Sequence, residues 1–272
     1  MIRRGAAHVD KLKESMNSRD NYISFITIIR KEVHRWLRIW TQTLVPPVIT
    51  QTLYFVIFGK FIGSQIGQIH GINYIGFIVP GLVMMAVINS AFANVVGSFF
   101  SAKFQRSVEE LLVSSTPNWV MLAGYVGGGA LRGILVGIIV FTISIIFTQP
   151  QIAHPLIIAV FIVLTSVVFS LSGFLNGIFA KKFDDAAIFP TFVLTPLTYL
   201  GGVFYSIHSL PDFWQKVSLL NPILFMINGF RFGFYGISDV SVFLSFLILV
   251  FFTLLLVFFN LYFLHKGTGL KN

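Results

Sequence analysis

The chain has no cysteine, and only 11% of its residues are charged, against about 25% in soluble domains. The first absence excludes a disulfide framework, thiolate metal sites and a catalytic thiol. The second excludes a water-soluble surface over 272 residues. Acids are especially few: ten carboxylates stand against nineteen Lys and Arg, and none of the ten falls inside a long apolar run. Intramembrane acids or histidines usually serve as relays in ion-coupled pumps, and the six histidines also lie at or beyond the ends of these runs. A proton-driven carrier is therefore disfavoured, although a site built from backbone carbonyls would escape this test. Enzyme signatures are missing as well. There is no HExxH, no GxSxG, and Ser172 has no histidine nearby in the apolar runs to act as its base. Gly127, Gly128 and Gly129 lead into Ala130, Leu131 and Arg132 rather than the GK[ST] of a phosphate loop. The opening MIRRGAAHVDKLKESMNSRD reads as charged sequence with no cleavable secretory signal.

What is present is apolar: 56% of the residues are hydrophobic and 16% aromatic, in runs longer than the roughly 18 residues that mark a spanning helix. Six runs stand out, near 39–59, 75–100, 119–147, 156–180, 187–206 and 241–264. They are too long for barrel strands and lack in/out alternation, so the expected fold is an all-α polytopic membrane protein with six transmembrane helices. Prolines at 46, 47, 80, 190 and 196 fall within these runs and imply kinks supported by neighbours. Fifteen Lys and Arg flank one set of span ends and three, Lys60, Lys216 and Arg231, flank the other, which places both termini in the cytoplasm. Nine of the fifteen precede residue 39, so the net charge of +9 points to a membrane surface and not to nucleic acid.

Two segments are neither spans nor plain loops. Over 22–38 the apolar residues Tyr22, Phe25, Ile26, Ile29, Val33, Trp36 and Leu37 recur at helical spacing while Lys31, Arg35 and Arg38 point elsewhere. This predicts an amphipathic helix in the cytoplasmic membrane interface, or a cytoplasmic extension of the first span. Residues 1–21 are expected as a basic cytoplasmic extension, 39–265 as the six-helix transmembrane domain and 266–272 as a cytoplasmic tail. The second segment, 207–240, is too apolar for a soaked loop and too broken by Pro211, Pro222, Gly229, Gly233 and Gly236 to span, which predicts an external re-entrant segment.

The cytoplasmic loop 103–117 carries Lys103, Arg106, Glu109 and Glu110 against Leu111 and Leu112, and is stopped by Pro117. A short rigid helix of this kind can transmit force from a docked partner; a capped loop facing water has the same pattern. Arg132 lies about thirteen residues into the third run, some 20 Å along a helix at about 1.5 Å per residue. Such a charge must face protein or water. Its expected roles are a bond to backbone carbonyls or to Asn89 and Asn94, holding helices together, or attraction of an anionic head group along a translocation path.

The stretches EELLVSSTPNWVMLAGYVGG and PLTYLGGVFYSIHSLPDFWQKVSLLNPILFMINGFRF resemble the loop with third span, and the fifth span with external segment, of type-2 ATP-binding-cassette exporter permeases, the polysaccharide and drug exporter family. RKEVHRWLRIWTQTLVPPVITQTLYFVIFG and KKFDDAAIFPTFVLTPLTYLGGVFYS are similar to a Gram-negative inner-membrane group within it, and the resemblance covers about residues 22–270. It implies a half-transporter in the bacterial inner membrane: two copies of this chain as a homodimer, a cytoplasmic ABC ATPase dimer beneath, and ATP with Mg bound by that partner and no cofactor by this chain. It also implies docking through Lys103, Arg106, Glu109, Glu110, Leu111, Leu112 and Pro117, and through Lys31, Arg35 and Arg38 of the interfacial helix, with membrane lipids around. The substrate would be amphipathic or lipid-linked. An ion-driven carrier or channel, or an intramembrane lipid-modifying enzyme, is the alternative.

Overall fold

A computed structural model describes residues 17–267 and 269. Most of the expected basic extension and tail lies outside the described residues. In chain order the elements are α1 Ser18–Arg38, α2 Trp40–Thr43, α3 Val45–Tyr54, a π-helical stretch Phe55–Ile62, α4 Gly63–Ile66, a small hairpin of β1 Gln68–Ile69 and β2 Ile72–Asn73, α5 Tyr74–Phe104, α6 Ser107–Val113 and α7 Asn118–Phe147. They continue with α8 Pro155–Phe179, α9 Phe183–Phe189, a second π-helical stretch Pro190–Leu194, α10 Thr195–Tyr199, a 3-10 turn Ile207–Ser209, α11 Asp212–Ser218, α12 Pro222–Tyr235 and α13 Val242–Lys266.

Four helices, α5, α7, α8 and α13, are long and apolar enough to cross a membrane, and α11 with α12 would make a fifth such unit but bend by 89° at their junction. The expected spans near 39–59 and 187–206 fall instead on shorter α-helices joined through the π-helical stretches, α2 to α4 in the first case and α9 to α10 in the second. The hairpin has no counterpart among the sequence expectations; it follows from Gly67 and Gly71, both at positive φ, with His70 also left-handed at φ 50° between its two strands. The helix expected from Tyr22 begins four residues earlier, at Ser18.

α5 is the axis of the molecule. It packs on α7, α8 and α12, and nearly all of its turns are buried, including Phe77, Leu82, Phe92 and Phe99. Glycines permit the close approach: a Cβ at Gly129 would collide with Val95 of α5, and one at Gly173 would lie 2.6 Å from the Phe92 carbonyl. α12 is almost as enclosed, with Ile223–Asn228 and Phe230 in the core and Gly229 against the Phe161 ring.

Prolines in these helices create a specific need. Each lacks the N–H that the carbonyl four residues earlier would accept, and a carbonyl left bare in an apolar interior costs free energy. Three such carbonyls are met by distant side chains. Tyr235 donates its hydroxyl to Gly76 (2.9 Å), the carbonyl freed by Pro80; the Asn176 amide donates to Ala186 (2.9 Å), freed by Pro190; and Arg132 donates to Thr43 (2.9 Å), freed by Pro47. Each of these proline sites is thereby tied to a different helix. Tyr235→Phe should therefore destabilise the detergent-solubilised protein by about 1–3 kcal/mol, the cost of an unsatisfied buried acceptor. Thermal unfolding beside Tyr262→Phe, on an exposed tyrosine, measures it; equal midpoints for the two variants would remove Tyr235 from this role.

Candidate functional site

The loop between α5 and α7 begins where α5 ends at Phe104. Arg106 takes a left-handed backbone conformation (φ 60°), which turns the chain into α6. Val108 is buried in a cluster with Ala102, Ile178 and Leu264, and Leu111 packs on the same cluster. Glu109 and Glu110 point outward, exposed. Pro117 occupies the N-cap position of α7 with φ −63° and ψ 147°, so the loop is clamped at both ends by helices of the core. The side chain of Leu112 lies outside what the structure describes.

Lys103 departs from the docking role expected of it. Only 8% exposed, it donates through Nζ to the carbonyls of Ile178 and Ala180, both at 2.7 Å. These lie at the end of α8, where helical carbonyls have no intrahelical partner. A cation is the natural cap there, so Lys103 staples α5 to α8. On the facing turn the Lys181 and Lys182 backbone amides donate to the Asp185 carboxylate (3.0 Å each) and hold it below the usual carboxylate range.

α1 has a buried stripe, Ile28, Glu32 and Trp36, one residue per turn on one face. It lies on the small-residue face of α7. A Cβ at Gly124 would meet Ile28 at 2.6 Å, one at Gly127 would meet Ile29 at 3.0 Å, and one at Gly128 would collide with the Glu32 Cβ. A second apolar edge, with Tyr22, Ile23 and Leu37, stays exposed, as does Trp40 at the start of α2.

The fully buried Glu32 carboxylate sets the chemistry of this junction. Arg35 donates to it through Nη2 at 3.0 Å and Nε at 3.4 Å, and the buried Ser98 hydroxyl of α5 donates to its other oxygen. Arg35 Nη2 also reaches the Asn94 side-chain oxygen at 2.8 Å and the Asn94 carbonyl at 3.2 Å. Arg35 is thus turned inward, bridging α1 to α5, and does not present itself to a partner beside the exposed Lys31 and Arg38.

The three residues expected along a translocation path are not brought into mutual hydrogen bonding. Asn94 serves Arg35, Arg132 serves the Thr43 carbonyl, and Asn89 donates to Met85 of its own helix beside a cleft of about 370 Å³ lined by Phe92, Phe183 and Pro190.

Arg231, expected among the external flanking charges, is in fact 1% exposed in α12. It donates to the Gly202 carbonyl (2.7 Å) and lies 3.9 Å over the Phe77 ring. Close by in the chain, Asp239 accepts from the Ser206 hydroxyl and the Ile207 amide and faces the His70 imidazole at 3.5 Å, tying the hairpin to the loops on either side of α11 and α12. Among the described residues there is no group of three or more potential metal ligands.

Sequence reasoning misses Glu32 and Ser98. Glu32 sits four residues from Ile28 and four from Trp36, on the stripe that the structure buries, and Arg35 follows it at the i, i+3 spacing of a helical ion pair. The apolar residues around it draw the expected helix face one position away.

Comparison with known proteins agrees with this architecture. Residues 23–235 match the family model of the ABC-2 type transporter. The chain is 56% identical over 251 residues, 92% of its length and 98% of the relative's, to the inner membrane transport permease YadH of Escherichia coli (strain K12). It is 22% identical over 219 residues, 76% of its length and 80% of the relative's, to nodulation protein J of Rhizobium meliloti (strain 1021). With the family model matched over most of its length, this chain belongs to the ABC-2 type transporter family, as a membrane permease.

Proposed function

We propose that the chain is the membrane half of an ATP-driven exporter, moving an amphipathic or lipid-linked substrate out of the cytoplasm or inner leaflet. Two copies form the path, and a separate pair of ABC ATPase chains binds ATP and Mg on the cytoplasmic side. In this reading the segments near 39–59 and 187–206 are the first and fifth of six spans, α11 and α12 form an external re-entrant unit, and both termini are cytoplasmic. The protein is then a multi-pass component of a bacterial inner membrane.

The observation that carries the reading is α6: a seven-residue helix seated by Val108, presenting Glu109 and Glu110 outward between the ends of α5 and α7. Any push on α6 reaches both long helices. Lys31 and Arg38, on the open side of α1, supply a second contact of opposite sign. Reversing both acids, Glu109→Lys with Glu110→Lys, leaves the fold intact to within about 0.5 kcal/mol because both are exposed. It places like charge against a surface matched to acids, and one such clash at about 1.4 kcal/mol already costs tenfold in affinity. Recovery of the ATPase with the affinity-tagged chain should fall by about tenfold or more and transport with it. Unchanged recovery and transport would make α6 an ordinary water-facing turn.

A further inference from the structure

We propose that the junction of α1, α5 and α7 is a binding site for a phosphate ester anion, held between Arg132 and Arg35 with the Asn94 amide. The inference rests on the exporter reading only for its biological use; the site itself is argued from its own groups.

Two guanidiniums meet one carboxylate here. Glu32 is committed: its oxygens already accept from Arg35 twice and from Ser98. Arg132 receives no carboxylate, and among the described residues Glu32 is the one acid in ion-pair contact with either arginine. Arg132 stands one helical turn after Gly128, whose Cβ position meets the Glu32 side chain, and so adds a second cation beside the Glu32–Arg35 pair. The junction therefore carries one uncompensated positive charge well along a helix of apolar residues, where an unpaired cation is costly.

Donors are in surplus too. Arg132 uses Nη2 for the Thr43 carbonyl, and its Nε is buried without an acceptor. The Nδ2 of Asn94, a residue 1% exposed, has no acceptor although its oxygen is held by Arg35. The buried Trp36 indole N–H, on the α1 stripe, is also unpaired. Buried donors are rarely left so. A shortage of acceptors beside an excess positive charge calls for an anion. Planar guanidinium forks match a phosphate, whose several oxygens can take donors from more than one direction. Access is through the half-exposed side of the site: the Arg35 side chain is 33% exposed, and Leu131, beside Arg132, is 46% exposed.

A lipid head group and a free ion both supply a phosphate, and one experiment separates them. The purified chain, without ATPase or substrate, is held in an uncharged detergent and its thermal midpoint is followed while phosphatidylglycerol, phosphatidylcholine or inorganic phosphate is added. Phosphatidylglycerol alone raising the midpoint assigns a lipid head group; inorganic phosphate doing the same assigns a free anion; either supports the site. Arg132→Gln, which keeps a donor for Thr43 and removes the charge, should weaken the half-saturating concentration by about tenfold, as expected for loss of one charge-assisted contact. Arg132→Lys, which keeps charge but not the fork, should fall between. Arg30→Gln, on the exposed side of α1, is the control for attraction to basic sequence at large and should bind as the parent does. Equal weakening in Arg132→Gln and Arg30→Gln, or no anion-dependent shift in the parent, would overturn the site. Neither result bears on whether an ATPase drives transport.

Discussion

Gly128→Leu is expected to lift the N-terminal helix off the bundle. The Cβ alone would collide with the Glu32 Cβ, and the branched carbons beyond it have nowhere to go between α1 and α7. Overpacking of this kind costs about 1–3 kcal/mol, and more where the neighbour is a fixed helix. The damage should not stay local. Displacing Glu32 separates it from Ser98 and pulls Arg35 away from Asn94, so the polar bridge to α5 fails with the apolar seat. A red shift in the emission of Trp36, which is 4% exposed, and faster proteolysis of α1 would report the release. Gly97→Ala is the matched control. Nothing lies within 4 Å of a Cβ there, and relief of glycine's entropy in a helix should stabilise by about 0.5–1 kcal/mol. A Gly128→Leu protein with parental Trp36 emission and proteolysis would show that α1 does not depend on this seat.

Glu32→Ala is the second large expected effect. Removing one member of a buried ion pair costs about 3–5 kcal/mol, because the other is left uncompensated. Arg35 is a third exposed and can recover some hydration, so about 2–3 kcal/mol is the better expectation here. The Ser98 hydroxyl, buried in α5, loses its acceptor as well. The informative comparison is with the double variant that also carries Arg35→Ala. If the pair is the source of the cost, the double variant should be more stable than Glu32→Ala alone, since Arg35 is no longer left without its carboxylate. Thermal midpoints of the two single variants and the double close that cycle, and strict additivity would mean that the two residues act separately.

Much of the architecture is legible in the sequence because lipid is a strict solvent. Long uninterrupted apolarity over 75–100, 119–147, 156–180 and 241–264 leaves a helix as the structure that satisfies its own backbone, and all four appear. The runs near 39–59 and 187–206 are similarly apolar but carry paired or spaced prolines, and composition does not show that their helices are interrupted by π-helical stretches. The site is less legible, for a different reason. Charge in a sequence reads as a mark of exposure, and for Lys31, Arg38, Glu109 and Glu110 that holds. It misplaces Lys103, Arg35, Glu32 and Arg231, each drawn inward by a partner far away in sequence: the end of α8, Asn94, Ser98 and the Gly202 carbonyl. The proline rule has the same limit. A freed carbonyl at Gly76 or Thr43 can be deduced from Pro80 or Pro47, but the donor that meets it comes from α12 or α7 and is visible only once the helices are packed.

The central claim, that this permease works through the ATPase of another chain, is most directly tested by ATP hydrolysis in liposomes. The chain should be purified from its native membrane in a mild detergent, once with every co-purifying protein retained and once stripped to the single polypeptide. The first preparation should contain an ABC ATPase with a phosphate loop and hydrolyse ATP, and the stripped chain should have no activity until that ATPase is returned. Robust hydrolysis by the stripped chain, or transport by a preparation holding no nucleotide-binding protein, would contradict it.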